Sequence, residues 1–230
     1  LIVLAHQDDM EIICGGTVAK LISQGKQVRS VITTDGQRGM HQSNEYTNEG
    51  FAKIRSDSQI AAGLELGITK DNIFNLGFPD GQVENTFENI GKVVWHLRDF
   101  KPDIIITHKP IEIFNWFGDN TGWINHRDHR MTAEITLDAS YPYANDHGFY
   151  REQIEEGLTA HSVKEFLFSD SYVDKNAVGF DVTDFLDVKR KALMHHTNGG
   201  VLSVEEVDGF MDEIKQDNGN FEIMGWVKLS

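Results

Sequence analysis

Short, uninterrupted apolar runs alternate with helix-length segments through the first half of the 230-residue chain, and this alternation constrains the fold more than any other feature. Leu1-Ile2-Val3-Leu4-Ala5 has no polar residue to turn toward water, which marks a strand buried on both faces. Asp103-Ile104-Ile105-Ile106-Thr107, with three consecutive isoleucines, reads as a second buried strand. Residues 28–34 and 72–76 read as two more strands. Residues 15–24, 51–66 and 88–100 space their apolar side chains as helices do. Residues 35–49 read as a long polar loop. Strand–helix–strand connections of this length generate a parallel sheet with helices on both faces. The expectation is therefore an α/β three-layer sandwich with a mostly parallel central sheet.

The second half is less regular. A loop at 109–125, rich in aromatics and glycine, precedes a helix at 127–139. Edge strands are expected at 163–168 and 177–182, and helices at 189–195 and 205–216. One domain over 1–230 is expected, with 1–115 its regular core. Residues 116–230 then form an irregular C-terminal extension that supplies a long loop, the edge strands and the C-terminal helices.

The formal charge is −15. An acidic chain repels nucleic-acid backbones and anionic membrane surfaces, so neither is an expected partner, but a metal cation is not excluded. The charge is uneven: residues 1–115 carry 15 acidic against 11 basic side chains, and the remainder carries 21 against 10. No apolar run reaches 18 residues and no signal-peptide pattern is present, so a cytoplasmic protein without stable membrane association is expected. The single cysteine, Cys14, rules out an internal disulfide and a thiolate zinc cluster. Any metal would have to be held by histidines and carboxylates.

Two clusters have that chemistry. His6-Gln7-Asp8-Asp9-Met10-Glu11 follows the first strand, and His126-Arg127-Asp128-His129 follows the 103–107 strand and its loop. Ligands in open parallel sheets bind beyond the C-terminal ends of the strands, where both clusters are expected. Three protein ligands that leave room for water make a catalytic zinc site. Burying so many carboxylates without a cation would be costly. The turn after the first strand lacks the close glycines of a dinucleotide site, and its three carboxylates would oppose a phosphate.

The segment AHQDDMEIICGGT closely resembles the AHPDDxE signature of the LmbE/PIG-L family of zinc-dependent N-acetylglucosaminyl de-N-acetylases, and HRDH resembles that family's second signature, commonly HPDH. Supporting matches are Arg55-Ser56-Asp57 with Ala61-Ala62, Leu76-Gly77-Phe78-Pro79-Asp80-Gly81, and Asp181, Lys189, Ala192, Leu193 and His196. The resemblance covers roughly residues 1–196 and implies a Rossmann-like α/β fold.

The resemblance further implies that His6, Asp9 and His129 bind Zn2+, although another divalent ion such as Fe2+ would suit the same donors. It makes Asp8 the general base, places His126 beside the scissile carbonyl, and gives Asp128 the role of supporting His126. Arg55 and Asp80 would hold sugar hydroxyls, and Glu11 would support the site without being a ligand. The implied reaction removes the N-acetyl group from an N-acetylglucosamine-type amino sugar or small glycoside, releasing acetate and a free amine. Asp8 acting first as base and then as acid is preferred to proton delivery by a protonated His126.

The expected partner is a small soluble acetylated amino sugar or short oligosaccharide, with Trp116 and Trp123 lining its cleft. A homo-oligomer is left open. Gln7 stands where the family usually has proline and should loosen the turn; Asp57 replaces the usual glutamate. His41, His108, His147 and His161 read as ordinary loop or surface histidines, whereas His196 would approach the site or cap a helix. The alternatives are a non-catalytic metal- and sugar-binding module, an amidohydrolase acting on a non-sugar amide, and a nucleotide-binding regulatory domain.

Overall fold

A computed structural model describes residues 1–39, 45–118 and 120–229. In chain order the strands are β1 (Ile2–Leu4), β2 (Ser30–Thr34), β3 (Ile73–Phe78), β4 (Ile104–Thr107), β5 (Phe114–Gly118), β6 (Thr121–Ile124), β7 (Glu165–Phe168), β8 (Ala177–Asp181), β9 (Lys215–Gln216) and β10 (Gly219–Lys228). The helices are α1 (Asp9–Ser23), α2 (Asn48–Glu65), α3 (Phe87–Phe100), α4 (Arg127–Asp138), α5 (Arg151–Glu155), α6 (Leu186–Met194) and α7 (Val204–Glu213). The fold is α/β, with a mostly parallel central sheet flanked by helices. No helix among the described residues is long and apolar enough to cross a membrane. The chain divides into two compact units, each assembled from separate stretches. Unit I holds Leu1–Val3, Gln82–Ala177 and Met224–Ser230; unit II holds Leu4–Gly81 and Val178–Ile223.

In unit I, β1 pairs in parallel with β4, setting Ile2 opposite Ile106. β4 pairs in parallel with β7, setting Ile105 opposite Phe166. β10 closes the ladder antiparallel to β7, with Trp226 opposite Leu167. Helix α3 turns Ile90, Val93, Val94 and Leu97 inward, the i, i+3, i+4, i+7 stripe of an amphipathic helix, and Thr86 Oγ1 caps it by accepting from the Asn89 amide.

On the buried side of the same helix, Arg98 has no exposed surface. Its Nη2 donates to the carbonyls of Tyr143, Asp146 and Phe149, each at 2.9 Å, and its Nη1 to that of Tyr150 at 3.1 Å. One cation thus ties down an irregular segment that has little ladder of its own. Arg98→Met should cost about 3 kcal/mol, because several buried carbonyls lose their donor together. Urea denaturation measures this, and a loss well under 1 kcal/mol would show that the segment holds itself.

In unit II, β2 and β3 pair in parallel from Ser30–Ile73 onward, with an irregularity between Ile32 and Thr34. Phe51 of α2, Leu193 of α6, Val201, Leu202 and Val207 of α7 form its buried apolar cluster. Thr47 caps α2, and a capping box of Ser203 and Glu206 starts α7.

Several expectations need correction. Residues 109–125 contain the antiparallel hairpin β5–β6, in which Phe114 faces Ile124 and Asn115 faces Trp123. Its polarity is inverted: Asn115 is buried while Phe114, Trp116 and Phe117 are exposed, so the usual alternation rule reads it as loop. β7 is not an edge strand, because β10 lies beside it. The sequence reading missed β10 because a charged residue, Glu222, falls inside it. Helix α1 starts at Asp9, six residues before the expected 15, and Cys14 breaks it with φ −145° and ψ 20°.

Candidate active site

In unit II the C-terminal ends of β1, β2 and β3 each release a carboxylate. After β1 the chain turns through His6, Gln7 and Asp8 into α1. The His6 amide donates to Asp9 Oδ2 at 2.6 Å, and the Asp9 amide returns a bond to the His6 carbonyl at 3.3 Å. This reciprocal pair fixes the Asp9 carboxylate beside the His6 ring, with Oδ2 3.6 Å from Nδ1. Zinc bonds of about 2.0–2.2 Å at tetrahedral angles separate neighbouring ligand atoms by ~3.4 Å, so the two side chains fit as ligands of one zinc ion.

The other ring nitrogen, Nε2, lies 3.5 Å from Asp80 Oδ1, just past the end of β3. A metal-binding histidine commonly gives its second N–H to a carboxylate, which fixes ring and tautomer. Asp80 Oδ2 accepts the Arg38 amide at 3.0 Å, and the Asp80 amide donates to Asp35 after β2. Burial alone would raise the Asp80 pKa. The His6 hydrogen bond and charge, the Arg38 amide and the Arg55 charge outweigh burial and hold it down at about 2.

A depressed carboxylate contributes stability above its unfolded pKa and loses it as pH falls through the folded value. In the metal-free protein, Asp80 should therefore contribute of order 2 kcal/mol at pH 5 that is gone below pH about 2. Denaturation of wild type and Asp80→Asn across that window checks it: the two curves converge at the acid end, whereas parallel curves would remove Asp80 from the acid response.

Asp8 is partly exposed, and Arg55 Nη2 donates to its Oδ1 at 2.6 Å. Arg55 itself is buried. Arg55 and Asp80, both expected on sugar hydroxyls, contact Asp8 and His6 respectively. Gln7 departs from the expected loosening. It is fully buried, and its Nε2 donates to the Thr34 carbonyl at 2.8 Å, tethering the turn to the end of β2. Glu11 is buried and accepts from His196 Nε2 at 3.1 Å; burial raises its pKa, against the hydrogen bond and charge of His196. His196 therefore supports α1 from behind.

In unit I the histidines collect at the N-terminus of α4. The cap is His126, whose Nδ1 accepts from the Asp128 amide at 3.1 Å. That bond leaves the neutral ring's proton on Nε2. In that tautomer His126 can donate a hydrogen bond from Nε2 without a second ring proton. The Asp128 carboxylate is buried and accepts the Val83 amide at 3.2 Å. His129 lies one turn into the helix, with its ring 5.4 Å from that of His126 and Trp123 edge-on at 5.9 Å.

His108, expected to be an ordinary loop residue, is fully buried after β4 and stacks on His129 at 3.8 Å. Its place just past a buried strand was the one signal available. Trp116 leans on Phe114 at the exposed outer side of the hairpin. His41 lies outside the described residues. Candidate metal ligands among the described residues are thus His6, Asp9 and Asp80 in unit II and His108, His126, Asp128 and His129 in unit I.

Residues 1–140, which contain both clusters, match the family model described as PIG-L, GlcNAc-PI de-N-acetylase. The chain belongs to the PIG-L family. This family of de-N-acetylases is metal-dependent, in keeping with the His/Asp donors just described. Among curated PIG-L relatives, the diacetylchitobiose deacetylase of Thermococcus kodakarensis is 28% identical over 191 residues, covering 83% of this chain and 66% of that protein. The chain spans about half to two-thirds of the length of the first curated relatives it matches.

The N,N'-diacetylchitobiose deacetylase of Pyrococcus horikoshii shares the fold with a TM-score of 0.81 at 22% identity, covering 99% of this chain and 82% of that one. GalB, the 4-carboxy-2-hydroxymuconate hydratase of Pseudomonas putida KT2440, also shares it, with a TM-score of 0.74 at 15% identity over 100% of this chain and 95% of its own. One fold thus serves both deacetylases and a hydratase, so the PIG-L site residues must carry the functional argument.

Proposed function

We propose that the chain is a zinc-dependent hydrolase that removes the N-acetyl group from an N-acetylglucosamine-type amino sugar or short oligosaccharide. In this reading one zinc ion would be held by His6, Asp9 and His129. The observation that carries it is the turn after β1, where Asp9 is locked at ligand spacing from His6 while the neighbouring Asp8 is held by Arg55.

Zinc bound there would acidify a water molecule and polarise the acetyl carbonyl. Asp8, oriented by Arg55 through Oδ1, takes the water proton on its other oxygen as the water oxygen bonds to the acetyl carbon. His126 Nε2–H donates to the carbonyl oxygen as negative charge develops there, and Asp128 anchors the helix start that aims it. The C–N bond then breaks, and Asp8 returns its proton to the departing nitrogen, giving acetate and the free amine. A neutral His126 that gave up its Nε2 proton would become an imidazolate, so Asp8 is the better acid.

Asp80 would orient the His6 ring for zinc binding through its contact with Nε2. Trp123, beside His129, offers an apolar face to the sugar, with Trp116 farther out. The substrate is taken as small, soluble and cytoplasmic, in line with the diacetylchitobiose named for the archaeal relatives. A curated relative named as an amidase, the mycothiol S-conjugate amidase of Streptomyces coelicolor at 28% identity over 151 residues, favours one second reading, an amidohydrolase acting on a non-sugar amide.

Acetate release from N-acetylglucosamine oligomers, abolished by a chelator and restored by zinc, tests the first reading. Turnover confined to non-sugar amides would transfer the case to the second.

A further inference from the structure

The break in α1 at Cys14 separates the turn that follows Asp8 and begins at Asp9 from the helical run at 15–23. In an unbroken helix the carbonyls of Glu11, Ile12 and Ile13 would accept from the amides of Gly15, Gly16 and Thr17. Two side chains from far along the chain take several of these groups instead. Lys189 Nζ, on α6, donates to the Glu11 and Ile12 carbonyls, each at 2.8 Å. Glu222, on β10, accepts the Gly16 amide on Oε1 at 2.9 Å and the Thr17 amide on Oε2 at 2.7 Å. The two side chains pair with each other at 2.7 Å and have no exposed surface.

An ion pair is thus spliced into the helix, its ammonium replacing lost donors and its carboxylate lost acceptors. Gly16 lets Val182 pack against the helix beside the pair, since a Cβ there would lie 2.7 Å from Val182 Cβ, and Gly15 faces the Lys189 stem, with a Cβ there 3.4 Å from Lys189 Cγ. A buried ion pair of this kind is seldom the most stable filling for its volume. What it achieves is geometric, because the first turn of α1 can take a direction independent of the rest.

We propose that Lys189 and Glu222 are positioning residues that set the turn bearing Asp8 and Asp9, and with it zinc affinity and turnover. The inference rests on the zinc-hydrolase reading above. Neither residue touches substrate or metal in it.

The test uses the full chain, with zinc alone as the binding probe and an N-acetylglucosamine oligomer as substrate. Lys189→Met with Glu222→Gln removes both charges together, so that no lone charge is buried; Glu222→Gln alone is the milder variant. The folded double variant should bind zinc about 10- to 100-fold more weakly by chelator competition, the range in which loss of ligand-orienting partners falls. Its kcat should drop while KM stays near the wild-type value. Hydrogen exchange at the Gly16 and Thr17 amides should quicken in the metal-free variant.

A pair that only stabilises the fold would lower the melting temperature yet leave zinc affinity and kcat unchanged, and that result overturns the proposal. Should neither variant fold, a crystal structure of the zinc-loaded wild type decides: a break at Cys14 with both side chains spliced in supports it, and a continuous α1 overturns it. Absence of zinc binding by the wild type would instead bring down the hydrolase reading itself. Equal binding by wild type and variant removes the positioning role alone.

Discussion

Asp8→Asn should lower kcat for acetate release by about 10²- to 10⁴-fold while leaving zinc affinity near the wild-type value. The substitution is nearly isosteric, so Arg55 Nη2 can still donate to the side-chain oxygen it now meets at 2.6 Å. What disappears is a site that can take a proton from water and return it to nitrogen. Steady-state kinetics with measured zinc content separates the possible roles. Undiminished turnover would make the chain's chemistry independent of Asp8, and loss of zinc along with activity would move Asp8 into the ligand set. The same variant also discriminates against a module that only binds metal and sugar, in which Asp8→Asn alters nothing.

The second large effect is expected at His129. His129→Ala should reduce zinc affinity by more than the roughly 10- to 100-fold cost of losing a group that merely orients a ligand, and activity should vanish at stoichiometric zinc. His108 provides the control, since it stacks on His129 at 3.8 Å and is fully buried. His108→Ala should weaken binding within that smaller range, because the ring it supports gains freedom while the ligand remains. Equal losses at the two positions would place His108 among the ligands, and an intact site in His129→Ala would exclude His129.

Much of this was legible in the sequence because the physics is local. Five consecutive apolar residues at 1–5 and three consecutive isoleucines at 104–106 disfavour a surface position, so β1 and β4 announced a parallel sheet, although Ile104 stays partly exposed. The two His/Asp clusters also stood out, since no requirement of the fold places them there. The less local features escaped. The hairpin β5–β6 buries Asn115 and exposes Phe114 and Trp116, reversing the pattern by which strands are read. β10 carries Glu222, whose charge makes sense only once Lys189 and the amides of Gly16 and Thr17 are brought to it. The His126 tautomer depends on a single backbone amide two residues ahead. Gln7 looked like a defect because a proline needs no partner, whereas its amide finds one 27 positions away at Thr34.

Anomalous diffraction at the zinc edge, from crystals grown with one equivalent of the metal, bears most directly on the central claim. The account predicts one strong peak bonded by His6, Asp9 and His129 at about 2.0–2.2 Å, with Asp8 beyond bonding distance. A peak whose ligands exclude His6 or His129, or no peak at the turn after β1, would contradict it.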